Sequence, residues 1–110
     1  MRFTQIAAVS ALSALLALPA WAADPSFRCS KVAHEVEDLI CKDGELADLD
    51  RQLSGLYGVV LRHTPPSQQR QLKSEQRGWL KGRNDCWKDS DQRGCVKAAY
   101  EDRIRELQDR

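Results

Sequence analysis

The four cysteines constrain the fold most, because they fall into two close pairs. Cys29 and Cys41 lie twelve residues apart, and Cys86 and Cys95 lie nine apart. Of the three possible pairings we expect Cys29–Cys41 and Cys86–Cys95, since each closes a short loop and would contribute about 3 kcal/mol in the chain-entropy model. The alternative is a metal site, but neither spacing is Cys-x-x-Cys and the chain has only 2 histidines. We therefore predict two disulfides and no bound metal.

The first 22 residues resemble a secretory signal peptide. A basic residue, Arg2, precedes an apolar run over 6–18, and the segment ends in Ala20-Trp21-Ala22. This small-residue ending predicts cleavage after Ala22; an uncleaved membrane anchor is the alternative. The first cysteine lies well past the cut, so we expect no lipoprotein site. The sequence thus predicts a periplasmic or secreted protein, in an oxidising compartment that suits disulfides, with no membrane span after cleavage.

Residues 23–110 are long enough for one domain, and their charge is uneven. Removing the leader takes one basic residue from the 17 Lys and Arg of the chain and leaves them equal to the 16 Asp and Glu. The stretch 24–50 has eight acidic and three basic residues, whereas 51–110 has thirteen basic and eight acidic. The acidic end could attract a cationic partner. The alternative is that the two ends neutralise each other in the folded chain.

Apolar residues recur at helical spacing, with no alternation typical of strands, so we predict an all-α, disulfide-stapled bundle of three to four helices. An unbroken helix from Cys29 to Cys41 would separate them by about 18 Å, whereas a disulfide needs Cα atoms within about 7 Å. The first helix must therefore be short. The expected helices cover roughly 35–41, 43–62 with Asp43 as N-cap, 67–83 and 95–107, with a polar loop over 84–94. In the third helix we expect Leu72, Gln76, Trp79 and Leu80 to face inward.

Three charged residues lie beside the apolar faces of these helices: Asp50, Arg83 and Arg103. Burying a charge without a partner is costly, so we expect an ion pair between Asp50 and one of the two arginines. Gln76 would satisfy the remaining polar groups, and Trp79 lies on the same helix face as Arg83. The predicted role of this polar network is to fix the helix register; ligand binding is the alternative.

Few residues suggest catalysis. His34 and His63 lie on different elements, and no serine has a nucleophile signature around it. The carboxylates of Glu35 and Asp38 stand three residues apart on a polar helix face, where such pairs are usually solvated. No phosphate-binding loop or nucleic-acid motif is present. We therefore predict no enzymatic activity, no cofactor and no nucleic-acid partner.

The order of several short motifs resembles the LprI-type lysozyme-inhibitor family across nearly all of residues 23–110. These motifs are Ile40-Cys41, Leu49-Asp50, Gln76-x-x-Trp79-Leu80-x-x-Arg83 and Tyr100-x-x-Arg103-Ile104, together with the four cysteines. The resemblance implies a small secreted helical domain stapled by disulfides, and a protein partner that is a lysozyme or another cell-wall hydrolase.

The leading hypothesis is an exported binding protein that occludes the active-site cleft of a lysozyme, an enzyme that cleaves glycan with two carboxylates. Acidic residues would steer a cationic lysozyme, and Trp87 in the 84–94 loop would be the aromatic anchor. The expected steering residues are Glu35, Glu37, Asp38, Asp43, Glu45 and Asp48. The alternative is an interaction module without inhibitory activity, such as an immunity protein or an envelope assembly factor.

Overall fold

The structure, a computed structural model, describes residues 24–110; the predicted signal peptide over 1–22 lies outside the described residues. The prediction of an all-α fold is confirmed. The helices are α1 (Glu35–Lys42), α2 (Gly44–His63), α3 (Pro66–Asn84) and α4 (Gln92–Gln108), and short 3-10 turns cover Cys29–Lys31 and Asp85–Lys88. Within 24–110 no helix is long and apolar enough to cross a membrane.

A single residue, Asp43, joins α1 to α2. It ends α1, and its carboxylate accepts a hydrogen bond from the Leu46 N–H at 3.0 Å, so the predicted N-cap of α2 is confirmed. The other end of α1 is capped by His34, whose Nδ1 accepts from the Val36 N–H at 3.1 Å. The tight junction holds α1 against the first turns of α2.

Both disulfides form as predicted. The Cα atoms of Cys29 and Cys41 are 5.9 Å apart, and those of Cys86 and Cys95 are 5.6 Å apart. As the geometric limit required, α1 is short, and Cys29 lies in the 3-10 turn that folds back onto it. Each bridge ties a turn to a neighbouring helix.

Two predicted boundaries are wrong by a few residues. The third helix begins at Pro66, one residue before the predicted Ser67, since proline suits the first helical position. The fourth begins at Gln92 where Cys95 was predicted, because Asp91 is its N-cap and accepts a hydrogen bond from the Gly94 N–H at 2.9 Å. The predicted polar loop over 84–94 is therefore shorter and contains the 3-10 turn Asp85–Lys88.

One hydrophobic core lies between the four helices, and α2 and α4 pack against each other most extensively. Full burial of a valine, leucine or isoleucine side chain stabilises a fold by about 1.5–3 kcal/mol. The largest fully buried side chains are Tyr100, Ile40, Leu46, Leu72, Leu107, Val36 and Val96.

The inward position predicted for Leu80 is wrong, since this side chain is 38% exposed. Adjacent helical residues point about 100° apart, so Trp79 and Leu80 cannot both face the centre of the bundle. Trp79 packs against the core and Leu80 lies at its outer edge.

Candidate functional site

A buried tyrosine hydroxyl joins the two charged residues that the sequence predicted to pair. Arg83 Nη1 donates to the Tyr100 hydroxyl at 3.0 Å, and that hydroxyl donates to Asp50 Oδ1 at 2.8 Å. Asp50 and Arg83 are each only 5% exposed. The predicted direct ion pair is therefore wrong, because Tyr100 of α4 lies between Asp50 of α2 and Arg83 of α3.

The same network fixes the segment that leads into the bundle. The second carboxylate oxygen of Asp50 accepts a hydrogen bond from the Ser26 N–H at 2.6 Å. Pro25 is buried, and the Phe27 ring lies 5.9 Å from the guanidinium carbon of Arg83. The lead-in is thus part of the packed structure.

The environment of Tyr100 keeps its hydroxyl protonated. Burial raises the pKa of the Tyr100 hydroxyl far above its ordinary value, and the neighbouring Asp50 carboxylate raises it further, while Arg83 opposes the shift. A protonated hydroxyl can donate to the carboxylate and accept from the guanidinium at once. The three side chains therefore form one continuous hydrogen-bonded chain across three helices.

Arg103 belongs to a separate group between α3 and α4. Its Nε donates to Gln76 Oε1 and its Nη1 to Glu106 Oε2, both at 3.0 Å. Gln76 thus accepts a hydrogen bond from a buried arginine as predicted, although Arg103 Nη2 is buried without a partner among the described residues. The alternative ion pair of Asp50 with Arg103 does not form. Trp79 donates from Nε1 to the Ala99 carbonyl at 3.2 Å and packs edge-on to the Tyr100 ring at 5.0 Å. These contacts join α3 to α4.

The predicted aromatic anchor, Trp87, is exposed beside one predicted acidic residue. It lies in the turn Asp85–Lys88 and is 46% exposed. The side-chain amide of Gln92 donates to the Trp87 carbonyl at 3.1 Å and to Glu35 Oε2 at 3.4 Å. We define Trp87, Gln92 and Glu35 as the Trp87 surface.

Four of the other five predicted steering residues are neutralised. Arg93 bonds to Asp43 at 2.6 Å, and Arg93 and Lys97 lie within 3.5 and 3.2 Å of Glu45. The hydrogen bond from Arg93 lowers the pKa of Asp43 below its ordinary value. The two charged halves of the chain therefore neutralise each other here, as the alternative reading of the charge pattern expected.

Asp38 and Asp48 pair within their own helices, with Lys42 and Arg51. Glu37 makes no ion pair with the residues that the structure describes, but it is half-buried and lies about 200° around α1 from Glu35. The predicted acidic residues do not form one charged patch with Trp87. Glu35 alone lies next to it.

An apolar cleft, which the sequence did not predict, opens at the other end of α3. It has a volume of about 800 Å³ and lies between the last turns of α2, the first turns of α3 and the end of α4. Val59, 43% exposed, lines it together with Leu72 and Leu107. No group of three or more His, Cys, Asp or Glu residues is placed to hold a metal ion anywhere in 24–110.

Comparisons with known proteins identify relatives of this chain. A family model described as "Lysozyme inhibitor LprI" matches residues 29–107. Proteins named "Lipoprotein LprI" from Mycobacterium bovis and from two strains of Mycobacterium tuberculosis are 34% identical over 110 residues, covering 90% of this chain and 54% of each relative. The chain therefore spans about half the length of the curated relatives it matches. No solved structure matches it.

Proposed function

Since the chain belongs to the lysozyme inhibitor LprI family, we propose that it binds a lysozyme and blocks the active-site cleft of that enzyme. The family role is inhibitory rather than catalytic, and it implies a protein partner. We further propose that the protein acts after export, in the periplasm or outside the cell, as the predicted signal peptide over 1–22 indicates. A cell-wall glycosidase would be met in that compartment.

The observation that carries the docking assignment is the exposure of Trp87 on a rigid turn. Tryptophan is enriched among the residues that dominate binding energy, and 46% of this one is exposed. Cys86, which immediately precedes it, is bonded to Cys95 of α4. A turn that is already ordered loses little conformational entropy on binding, so the anchor is suited to entering a cleft.

The buried network of Asp50, Tyr100 and Arg83 also holds the helix end that precedes this turn. Arg83 is the penultimate residue of α3, and its guanidinium donates to the Asn84 side chain at 2.9 and 3.1 Å as well as to Tyr100. The end of α3 is therefore fixed immediately before the turn begins. In this proposal Asp50, Tyr100 and Arg83 position the Trp87 surface and make no contact with the lysozyme.

Electrostatic steering has a smaller part than the sequence predicted. The proposed lysozyme partner is cationic. Among the predicted steering residues, Glu35 is the one linked through Gln92 to Trp87, whereas Asp43 and Glu45 already pair with basic residues of α4. We expect the association rate to fall as salt rises, because salt screens exposed charges over about 10 Å at 0.1 M. Glu35→Gln should slow association, while Asp109→Asn, at the exposed end of α4, should leave it unchanged.

The decisive experiment measures lysis of a peptidoglycan substrate by lysozyme in the presence of the exported, oxidised protein. The wild type should inhibit, and Trp87→Ala should weaken inhibition by about 30-fold or more, as for a residue that dominates an interface. Val59→Ala is the matched control, since Val59 is also exposed and lies in the cleft at the other end of α3. It should inhibit as the wild type does.

The two failures have different meanings. Full inhibition by Trp87→Ala would reject the Trp87 surface and leave the inhibitory function intact. No inhibition by the wild type at micromolar excess would reject the inhibitor function itself and favour an interaction module of another kind.

A further inference from the structure

The outward face of α3 carries four basic residues in a row: Arg70, Lys73, Arg77 and Lys81, which we call the α3 basic stripe. All four are exposed. Steps of three and four residues keep them within an arc of about 80°, on the side opposite the buried Leu72, and spread them over about 16 Å of helix. The stripe is thus a straight ridge of positive charge that faces solvent.

None of these four charges has an acidic partner among the described residues. Eight basic residues elsewhere in 24–110 make ion pairs. Arg28, Lys31 and Arg62 also lack one within that range, but the stripe places four exposed, unpaired cations in one row on a single helix. The acidic residue within α3, Glu75, lies off the stripe and pairs with Arg110. The stripe is therefore a concentration of charge that nothing in the described chain neutralises.

This face also departs from what would stabilise an isolated helix. Like charges four residues apart, as in Lys73–Arg77 and Arg77–Lys81, repel each other. Gly78 and Gly82 lie on the exposed side of α3, where a Cβ would meet no atom within 4 Å, so packing does not require glycine at either position. Neither feature stabilises the fold, which is expected where an exposed face serves a contact with another molecule.

We propose that the α3 basic stripe binds a bilayer surface rich in anionic phospholipid. Charge complementarity carries the assignment, since basic residues near such a surface each strengthen binding about fivefold. The shape favours a membrane over a linear polyanion, because the stripe is a convex ridge. Proteins that hold linear polyanions typically use grooves lined with aromatic side chains. The proposal goes beyond lysozyme inhibition, because a row of cations repels a cationic lysozyme and so serves a different contact.

The test measures binding of the oxidised protein to vesicles of equal parts phosphatidylglycerol and phosphatidylcholine, and to vesicles of phosphatidylcholine alone. A stripe variant replaces all four basic residues with glutamine. The control variant removes four exposed, ion-paired basic residues elsewhere, so that its net charge changes equally; it carries Lys42→Gln, Arg51→Gln, Lys88→Gln and Arg105→Gln. Far-UV circular dichroism checks that both variants fold.

The wild type should bind the anionic vesicles, and its affinity for them should fall as salt rises. Its affinity for phosphatidylcholine vesicles should be at least tenfold lower. The stripe variant should lose about 600-fold in affinity for anionic vesicles, and the control variant less than about fivefold. If the stripe variant does not fold, Arg77→Gln alone should lower the affinity about fivefold. Equal losses in the two fourfold variants would overturn the proposal, as would binding to soluble polyphosphate as tight as binding to the vesicles.

Discussion

Replacing Tyr100 with phenylalanine tests whether one hydroxyl holds three helices together. The change keeps the ring and its edge-on packing against Trp79 but removes the oxygen between Arg83 and Asp50. Both charged partners are 5% exposed, so neither can recover full hydration without movement. A hydrogen bond to a charged group contributes about 1.5–3 kcal/mol, and an unsatisfied buried group costs more.

We expect Tyr100→Phe to lower the free energy of unfolding by about 3 kcal/mol, less than two such bonds together. Asp50 keeps its bond from the Ser26 N–H, and Arg83 keeps its bonds to Asn84, which limits the loss. For a domain of this size the change corresponds to a fall in Tm of about 15 °C. Urea denaturation followed by circular dichroism measures the free energy, and a thermal scan measures the Tm.

The pH dependence identifies the hydroxyl as the cause. The pKa of Tyr100 is raised in the folded state, so its contribution to stability is complete below the unfolded pKa near 10. Above that pH the unfolded chain loses the proton first, and the wild type becomes less stable. The difference between the wild type and Tyr100→Phe should therefore narrow above about pH 10.

Tyr57→Phe is the matched control, because Tyr57 packs at the edge of the core and takes no part in the network. Its stability should stay within about 0.5 kcal/mol of the wild type. A Tyr100→Phe protein as stable as this control would refute the bridging role, as would an alkaline transition that the substitution leaves unchanged.

Three other substitutions test separate parts of the fold. Gly82→Ala should raise the free energy of unfolding by about 0.5–1 kcal/mol, because nothing lies near the added methyl group; a loss of stability in urea denaturation would contradict the open surroundings. Asp43→Asn keeps the helix cap but loses the pair with Arg93, so stability should be slightly lower at pH 7. This difference should shrink as the pH falls below about 4, near the ordinary pKa of the unfolded chain, and disappear below the lowered pKa of Asp43 in the folded state. A loss that does not shrink between pH 7 and pH 2 would contradict this. The double change Cys86→Ser and Cys95→Ser should cost about 3 kcal/mol and weaken lysozyme inhibition, and an oxidised and a reduced wild type of equal stability would contradict it.

The helices and both disulfides could be predicted because their determinants are local. Apolar spacing defines each helix, and the short distance along the chain between Cys29 and Cys41 limits α1 to a few turns. The start of α4 was missed although its signal is also local: Asp91 stands three residues before Gly94, a spacing that suits an N-cap.

The polar network could be predicted in membership but not in pairing. Charges beside apolar seams identified Asp50, Arg83 and Arg103, but which of them meet depends on how three helices cross, and a single sequence does not contain that information. Tyr100 is absent from the predicted network, although its hydroxyl joins Asp50 to Arg83. A tyrosine in a predicted core needs a partner for its hydroxyl, and this rule together with the two nearby charges was the available signal.

The prediction of an acidic surface was wrong in part because it, too, depends on how the helices pack. Counting residues in each half predicted an acidic surface, but Arg93 and Lys97 of α4 pack beside the start of α2 and cancel much of it. The α3 basic stripe can be recognised from the spacing of residues within one helix. Its charges have no acidic partner within α3, because the acidic residue of that helix, Glu75, lies off the stripe.

The short span of both bridges has a consequence for how the chain matures. In an unfolded chain the chance that two thiols meet falls with the length of the intervening segment, and the mispaired alternatives would have to close segments several times longer than 12 or 9 residues. That difference disfavours each mispaired bridge by about 1–2 kcal/mol before any helix has formed. The correct pairing is therefore already favoured in the unfolded chain, and we expect little need for an isomerase to rearrange the disulfides.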